Sequence, residues 1–379
     1  MFYVLCFILI RILLNLVVVL MIVLFIYLAA MFFSLCSIYS KSNDKTMLLV
    51  TTMFFFYCLV FTSGYNTASP DYLGYKKIME TSGDFGDIFN TDFSDIHGDP
   101  IFYLLSSIIN SLNIDVQFTF LLISSLSIGI LLFVVFKEST YPILSMLMYI
   151  SHHYLNKDMI QIRAGIASSF LLLCIYFLVN RKYVKSSVAS ILSILSHSSS
   201  FISVIPFLFY KTIKVTHVRK VAVVLLFMSA IMYKIDAFGF FVSNFGDLLP
   251  LSVQGYIKWE SYNYNLGLLS ISTIRALLIS TLLIVFYDRI VELNDYTKTS
   301  FWFYIIGTCF ILLFNDVAIL SGRLSSMLFS IDIILLVNFA ASFKSKITLI
   351  ILIFYSSANL YYNLYVNSFP LGSVLFDFY

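Results

Sequence analysis

Arg163, His197, Arg275 and Arg323 all lie inside or beside long apolar runs. A charge at the centre of a bilayer is unfavourable by about 3 kcal/mol, so such residues mark function by default and call for a partner. A guanidinium presents a planar fork that matches phosphate oxygens bidentately. Arg163, Arg275 and Arg323, each near the same end of its run, therefore form a candidate set for an anionic, phosphate-bearing partner. The ordinary alternative is that each arginine pairs with a nearby acid such as Asp316 or Asp332. His197 stands in the string Ser196-His197-Ser198-Ser199-Ser200, which breaks an apolar run in its middle. It is a candidate base or hydrogen-bond donor at the floor of a cavity, or else an imidazole satisfied by local backbone groups. Asp71, in Ser69-Pro70-Asp71-Tyr72-Leu73-Gly74-Tyr75, is a second candidate base. Tyr72 and Tyr75, at i and i+3, share one helix face. With Trp259 in a later aromatic-rich segment, they are the candidate sugar-binding rings, although tyrosine also gathers at any membrane interface.

No Cys-x-x-Cys, His-Glu-x-x-His, Gly-x-Gly-x-x-Gly or P-loop spacing occurs. His152 and His153 read as an ordinary interfacial pair, because no further ligands stand close to them in sequence. No metal and no cofactor is therefore expected, and a phosphate would have to be held by side chains.

The elements that must hold these groups are membrane helices. The chain has 379 residues, 60% hydrophobic and 11% charged, with a mean hydropathy of +0.94. Soluble cores do not need that composition, whereas repeated apolar runs of about 20 residues do. The expected fold is an all-α polytopic integral membrane protein, with about ten or eleven transmembrane helices plus re-entrant or half-helices. The net charge of +3 gives no reason to expect a nucleic-acid partner; membrane lipids are the expected surroundings. All five cysteines lie inside apolar runs, which argues for free thiols rather than a disulfide framework.

Residues 1–40 read as one long tilted helix of the mature chain, and 46–63 as a second span. Residues 100–112 are too short to cross and read as a half-helix. Further spans are expected near 117–136, 140–155, 160–180, 219–236, 266–287, 300–320, 323–342 and 346–365. The short loops richest in lysine and arginine include Lys41 and Lys45, Arg181 to Lys185, Lys211 to Lys220, and Lys344 and Lys346, and they are assigned to the cytoplasm. The polar segments 64–99 and 237–265 then fall outside. This alternation holds if 186–210 is re-entrant, with its apex at the His197 break. The whole chain, 1–379, is expected to form a single transmembrane domain.

An ordered set of short motifs resembles a known family. It runs Asp71-Tyr72…Tyr75, Asp99-Pro100-Ile101-Phe102-Tyr103, Ile162-Arg163-Ala164-Gly165, Arg181-Lys182, His197-Ser198-Ser199 and later Arg323-Leu324-Ser325. The set resembles the EpsG-type polysaccharide polymerases, related to the O-antigen polymerases (Wzy). It departs from them in an aspartate before Pro100 where glutamate is commoner. The resemblance implies a fold similar to the GT-C glycosyltransferases. It also implies metal-independent block transfer of undecaprenyl-diphosphate-linked oligosaccharides outside the bacterial cytoplasmic (inner) membrane, with a chain-length regulator as a further candidate partner. For Arg163, Arg275 and Arg323 the resemblance implies that the phosphate-bearing partner is a diphosphate. A ligase for finished polysaccharide would use the same donor, and a lipid-linked sugar flippase would also be polytopic and cationic inside. The flippase is disfavoured because no internal repeat is visible and the unusual arginines gather at one side.

Overall fold

The computed structural model describes residues 2–39, 45–86, 99–246, 254 and 265–366; Trp259 lies outside them. Among the described residues all regular structure is helical. In chain order the α-helices are α1 (Phe2–Tyr39), α2 (Lys45–Gly64), α3 (Tyr72–Thr81), α4 (Pro100–Ser111), α5 (Gln117–Glu138), α6 (Pro142–Tyr149), α7 (Ile162–Val179), α8 (Tyr183–Ser196) and α9 (Val204–Thr212). They continue with α10 (Val218–Lys234), α11 (Ala237–Phe245), α12 (Ile271–Val285), α13 (Tyr287–Val291), α14 (Asp295–Leu313), α15 (Ala318–Phe329), α16 (Asp332–Ser342) and α17 (Lys346–Tyr361). Among the described residues six stretches are long and apolar enough to cross a membrane: Val17–Tyr39, Thr46–Gly64, Gln117–Glu138, Ile162–Val179, Val215–Lys234 and Lys346–Val366. Helices α15 and α16, bent by 53° at a short break, make a seventh if taken as one span. The protein is a multi-pass membrane protein of all-α class.

Fewer stretches qualify than the ten or eleven expected: the runs near 266–287 and 300–320 are the helices Ile271–Val285 and Asp295–Leu313, neither of them among the six, and other expected elements differ in detail. The span read at 140–155 is α6 continued by a π-helix, Ile150–Asp158, so the helical path runs past the expected end. The span at 323–342 is the bent pair α15 and α16. The segment 237–265 opens with helix α11 rather than with loop; Asp236 takes a left-handed φ of 50° there and accepts the Gly239 amide at 3.0 Å, an N-cap that starts a new helix.

The chain packs as two compact units, Met1–Ser198 with Lys344–Tyr379, and Ser199–Phe343. In the first, α7 lies at the centre, against α5, α8 and the π-helix, with α2 on α5 and α1 against α6 and α17. Small residues along α7 let backbones approach, which is how helices associate where lipid offers no hydrophobic gain. Ser193 donates to the Ala167 carbonyl at 2.7 Å and Ser186 to that of Cys174 at 3.0 Å, fastening α8 to α7.

At the head of α7 lies a buried polar node. The Asp158 carboxylate, 4% exposed, accepts from the Tyr149 hydroxyl at 2.7 Å and from Ser127, which in turn meets Ser169 at 3.1 Å. Gly165 lies directly against it, and a Cβ there would sit 2.7 Å from Asp158 Oδ1. Gly165→Ala should therefore destabilise the protein by about 1–3 kcal/mol through overpacking. The check is a thermal unfolding curve in detergent, where an unchanged midpoint would mean that the node yields freely.

In the second unit α14 is central, with α9, α10, α12, α15 and α16 around it. Phe301, Trp302, Phe303 and Tyr304 on α14 are no more than 2% exposed, so this helix is apolar all round because it is buried all round.

Candidate functional site

Asp99, Arg163 and His197 meet in the first unit, and each is brought there by the local grammar of its own segment. Asp99 precedes Pro100, which disfavours helical backbone at the residue before it, and it is extended at φ −80°, ψ 145°. Pro100 opens α4 where its missing N–H is no loss. The Asp99 side chain makes no capping bond to its own helix, so the carboxylate is free to reach across. Arg163 is the second residue of α7. His197 ends α8 in extended backbone at φ −161°, ψ 118°. The serines around it compete for backbone bonds, as Ser196 does by donating to the Leu192 carbonyl at 2.7 Å, and so favour a break there. Helix α4 packs on both α5 and α8.

One carboxylate oxygen serves both side chains. Arg163 Nη1 donates to Asp99 Oδ2 at 3.0 Å, and His197 Nδ1 lies 3.3 Å from the same atom. Side-chain exposures are 27% for Arg163, 13% for Asp99 and 19% for His197, so the group is largely desolvated yet reachable. Charge-assisted bonds in such surroundings are stronger than in open water. Arg163 Nε is buried and has no hydrogen-bond partner among the described residues. The guanidinium lies over the Tyr75 ring, 5.4 Å from its centroid, and the other neighbour of that ring is Phe102 at 5.3 Å. Burial pushes the Tyr75 phenol above its ordinary range; the Arg163 charge opposes this, while Asp71 and Asp99 add to it. Beneath the polar group, Tyr75, Met79, Phe102, Phe120, Ile123, Ile162 and Ile166 form one buried cluster drawn from α3, α4, α5 and α7. That cluster fixes the four elements to one another.

A family match covers residues 47–375, most of the chain. The protein belongs to the EpsG family. This EpsG-family chain is also 26% identical over 318 residues to the amylovoran biosynthesis protein AmsC of Erwinia amylovora, covering 78% of this chain and 80% of that one. No solved structure matches it.

The remaining predicted residues of this EpsG-family protein fall as follows. Asp71 stands just before α3, close enough for its charge to act on Tyr75. Tyr72 is stacked on Phe120 with centroids 5.0 Å apart, and its hydroxyl donates to Gln117 Oε1 at 3.0 Å. Tyr75 is 7% exposed, so it walls the site and supports Arg163. Arg275 on α12 and Arg323 on α15 belong to the second unit, where both are half-buried and engaged by neighbours. Asp99 was not singled out as a site residue by its sequence; the available signal was an acid fixed before a helix-opening proline. Among the described residues no cluster of three or more His, Cys, Asp or Glu is placed to hold a metal ion.

Proposed function

We propose that this protein polymerises lipid-diphosphate-linked oligosaccharide repeats at the external face of the bacterial cytoplasmic membrane, without a metal. The observation that carries the reading is the meeting of Arg163 and His197 on Asp99, an anion-binding group and a base held side by side. In the reaction, a hydroxyl oxygen of the incoming repeat forms a bond to the anomeric carbon of the growing chain. The bond from that carbon to the diphosphate breaks, and its electron pair leaves with the lipid diphosphate. His197 takes the hydroxyl proton, and Asp71 is the alternative base. Arg163 stabilises the charge developing on the leaving diphosphate; Arg275 and Arg323 are the other proposed diphosphate-binding residues. Such stabilisation by one donor contributes about 3–4 kcal/mol. Tyr72 and Trp259 are proposed sugar contacts, and Tyr75 supports Arg163 from behind. The lipid donor and acceptor are undecaprenyl diphosphate-linked, and a chain-length regulator is a proposed partner.

Deleting the gene in its source bacterium and running surface polysaccharide on a gel tests this directly. Material stopped at a single repeat is the expected result. Full-length polymer left unattached to its anchor would instead identify a ligase, and an unchanged ladder would refute both.

A further inference from the structure

Asp99 has two partners on one oxygen, and in the reading above they meet different groups: Arg163 the diphosphate and His197 the attacking hydroxyl. The Arg163 guanidinium is the part of the site that a diphosphate would claim, so this inference rests on the reading above. In the resting arrangement Nη1 is committed to Asp99 at 3.0 Å while Nε has no partner among the described residues, so the arginine holds donor capacity that these neighbours do not use. The imidazole faces the carboxylate through Nδ1 at 3.3 Å, and a proton on Nδ1 leaves the lone pair on Nε2.

We propose that Asp99 is a positioning residue that couples donor binding to the base: it holds Arg163 until the lipid diphosphate takes the guanidinium, and then acts on His197 alone. Before the donor arrives, the Asp99 charge is shared between a guanidinium and an imidazole. Afterwards the guanidinium turns to the phosphates, and the carboxylate stabilises the imidazolium that forms as the hydroxyl proton reaches Nε2. In both states Asp99 fixes the tautomer by accepting from Nδ1, the service that an oriented carboxylate gives a catalytic histidine. Three features fit this division. The Asp99 side chain is not spent on capping α4. Tyr75 offers the guanidinium a flat ring to lie on, 5.4 Å from its centroid. The Arg163 side chain is also the most exposed of the three, at 27%, as suits the member that takes the diphosphate.

The test is a kinetic comparison of purified wild-type protein with Asp99→Asn and Asp99→Glu, using lipid-diphosphate-linked repeats as substrate. Asp99→Asn should lower kcat by about a hundred-fold or more, the usual worth of an assisted base. It should also lower the donor KM several-fold, because Arg163 no longer has to leave a carboxylate to bind phosphate. Asp99→Glu, which keeps the charge, should recover part of kcat with a donor KM near that of wild type. If Asp99 only anchored Arg163, its removal would raise the donor KM; a raised or unchanged KM in Asp99→Asn overturns the proposal. Should Asp99→Asn not survive purification, Asp99→Ser replaces it, and the same two directions of KM decide the matter. Wild-type protein that makes no polymer would refute the polymerase reading itself, whereas wild-type polymer with a raised KM in Asp99→Asn refutes only this role.

Discussion

Arg163→Lys is expected to slow polymerisation by purified protein about a hundred-fold, with a thermal midpoint close to that of wild type. The charge survives this substitution; the geometry does not. A lysine ammonium is a compact, strongly hydrated point on a flexible stem, whereas the guanidinium presents a planar fork that matches phosphate oxygens while its plane rests on Tyr75. Lysine can still pair with Asp99, so the fold of α7 against α4 should hold. An arginine that served only this ion pair would tolerate lysine in both respects. Full activity in Arg163→Lys, measured beside its thermal unfolding, would therefore end the diphosphate role for this position and transfer it to Arg275 or Arg323.

His197→Ala should come close to abolishing long polymer, at normal protein abundance. Removing a positioned general base lowers a rate by about a hundred- to ten-thousand-fold, and a processive product amplifies the loss into short chains. Stability should suffer little, because α8 already ends at this residue and its attachment to α7 runs through Ser186 and Ser193. The readout is chain length on a gel alongside immunodetection of the protein. Near-normal ladders from the variant would remove His197 as the base and promote Asp71.

The two residues of these predictions were legible in the sequence because each breaks a rule. An arginine at the head of an apolar run and a histidine among four serines in the middle of another cannot be explained by packing alone. Most helix positions were legible for the opposite reason, since apolar runs of the right length leave little choice: the run read at 160–180 is α7, and that read at 117–136 is α5. What joins Arg163 to His197 was not legible. Asp99 sits before a helix-opening proline, where an acid is an ordinary turn residue, and only the packing of α4 on α5 and α8 carries it to residues 64 and 98 positions away in sequence. Tyr75 shows a related limit. Its spacing from Tyr72 marked a shared face correctly, but which ring stays open to a ligand depends on what lies beneath, and Phe102 and Arg163 take up Tyr75. The π-helix Ile150–Asp158 had no warning at all, because its apolar and polar residues would suit an α-helix equally well.

The spans differ greatly in how much protein surrounds them. Of the α7 span 61% is buried inside the protein; of the span containing α10 only 17% is. A helix bathed in acyl chains is held to a length and an oily character, and almost any exchange among Val, Leu, Ile, Phe and Met satisfies both. A helix largely enclosed by protein must keep particular volumes, such as the missing Cβ at Gly165. Descent should therefore erase these two helices at different speeds. In a pair of chains only 26% identical, the shared letters would collect on α7 and thin out along α10, where the ancestry survives as hydropathy rather than spelling. An identity averaged over the whole chain then understates kinship, because it weighs the lipid-washed helices, which forget quickly, equally with the enclosed ones, which cannot.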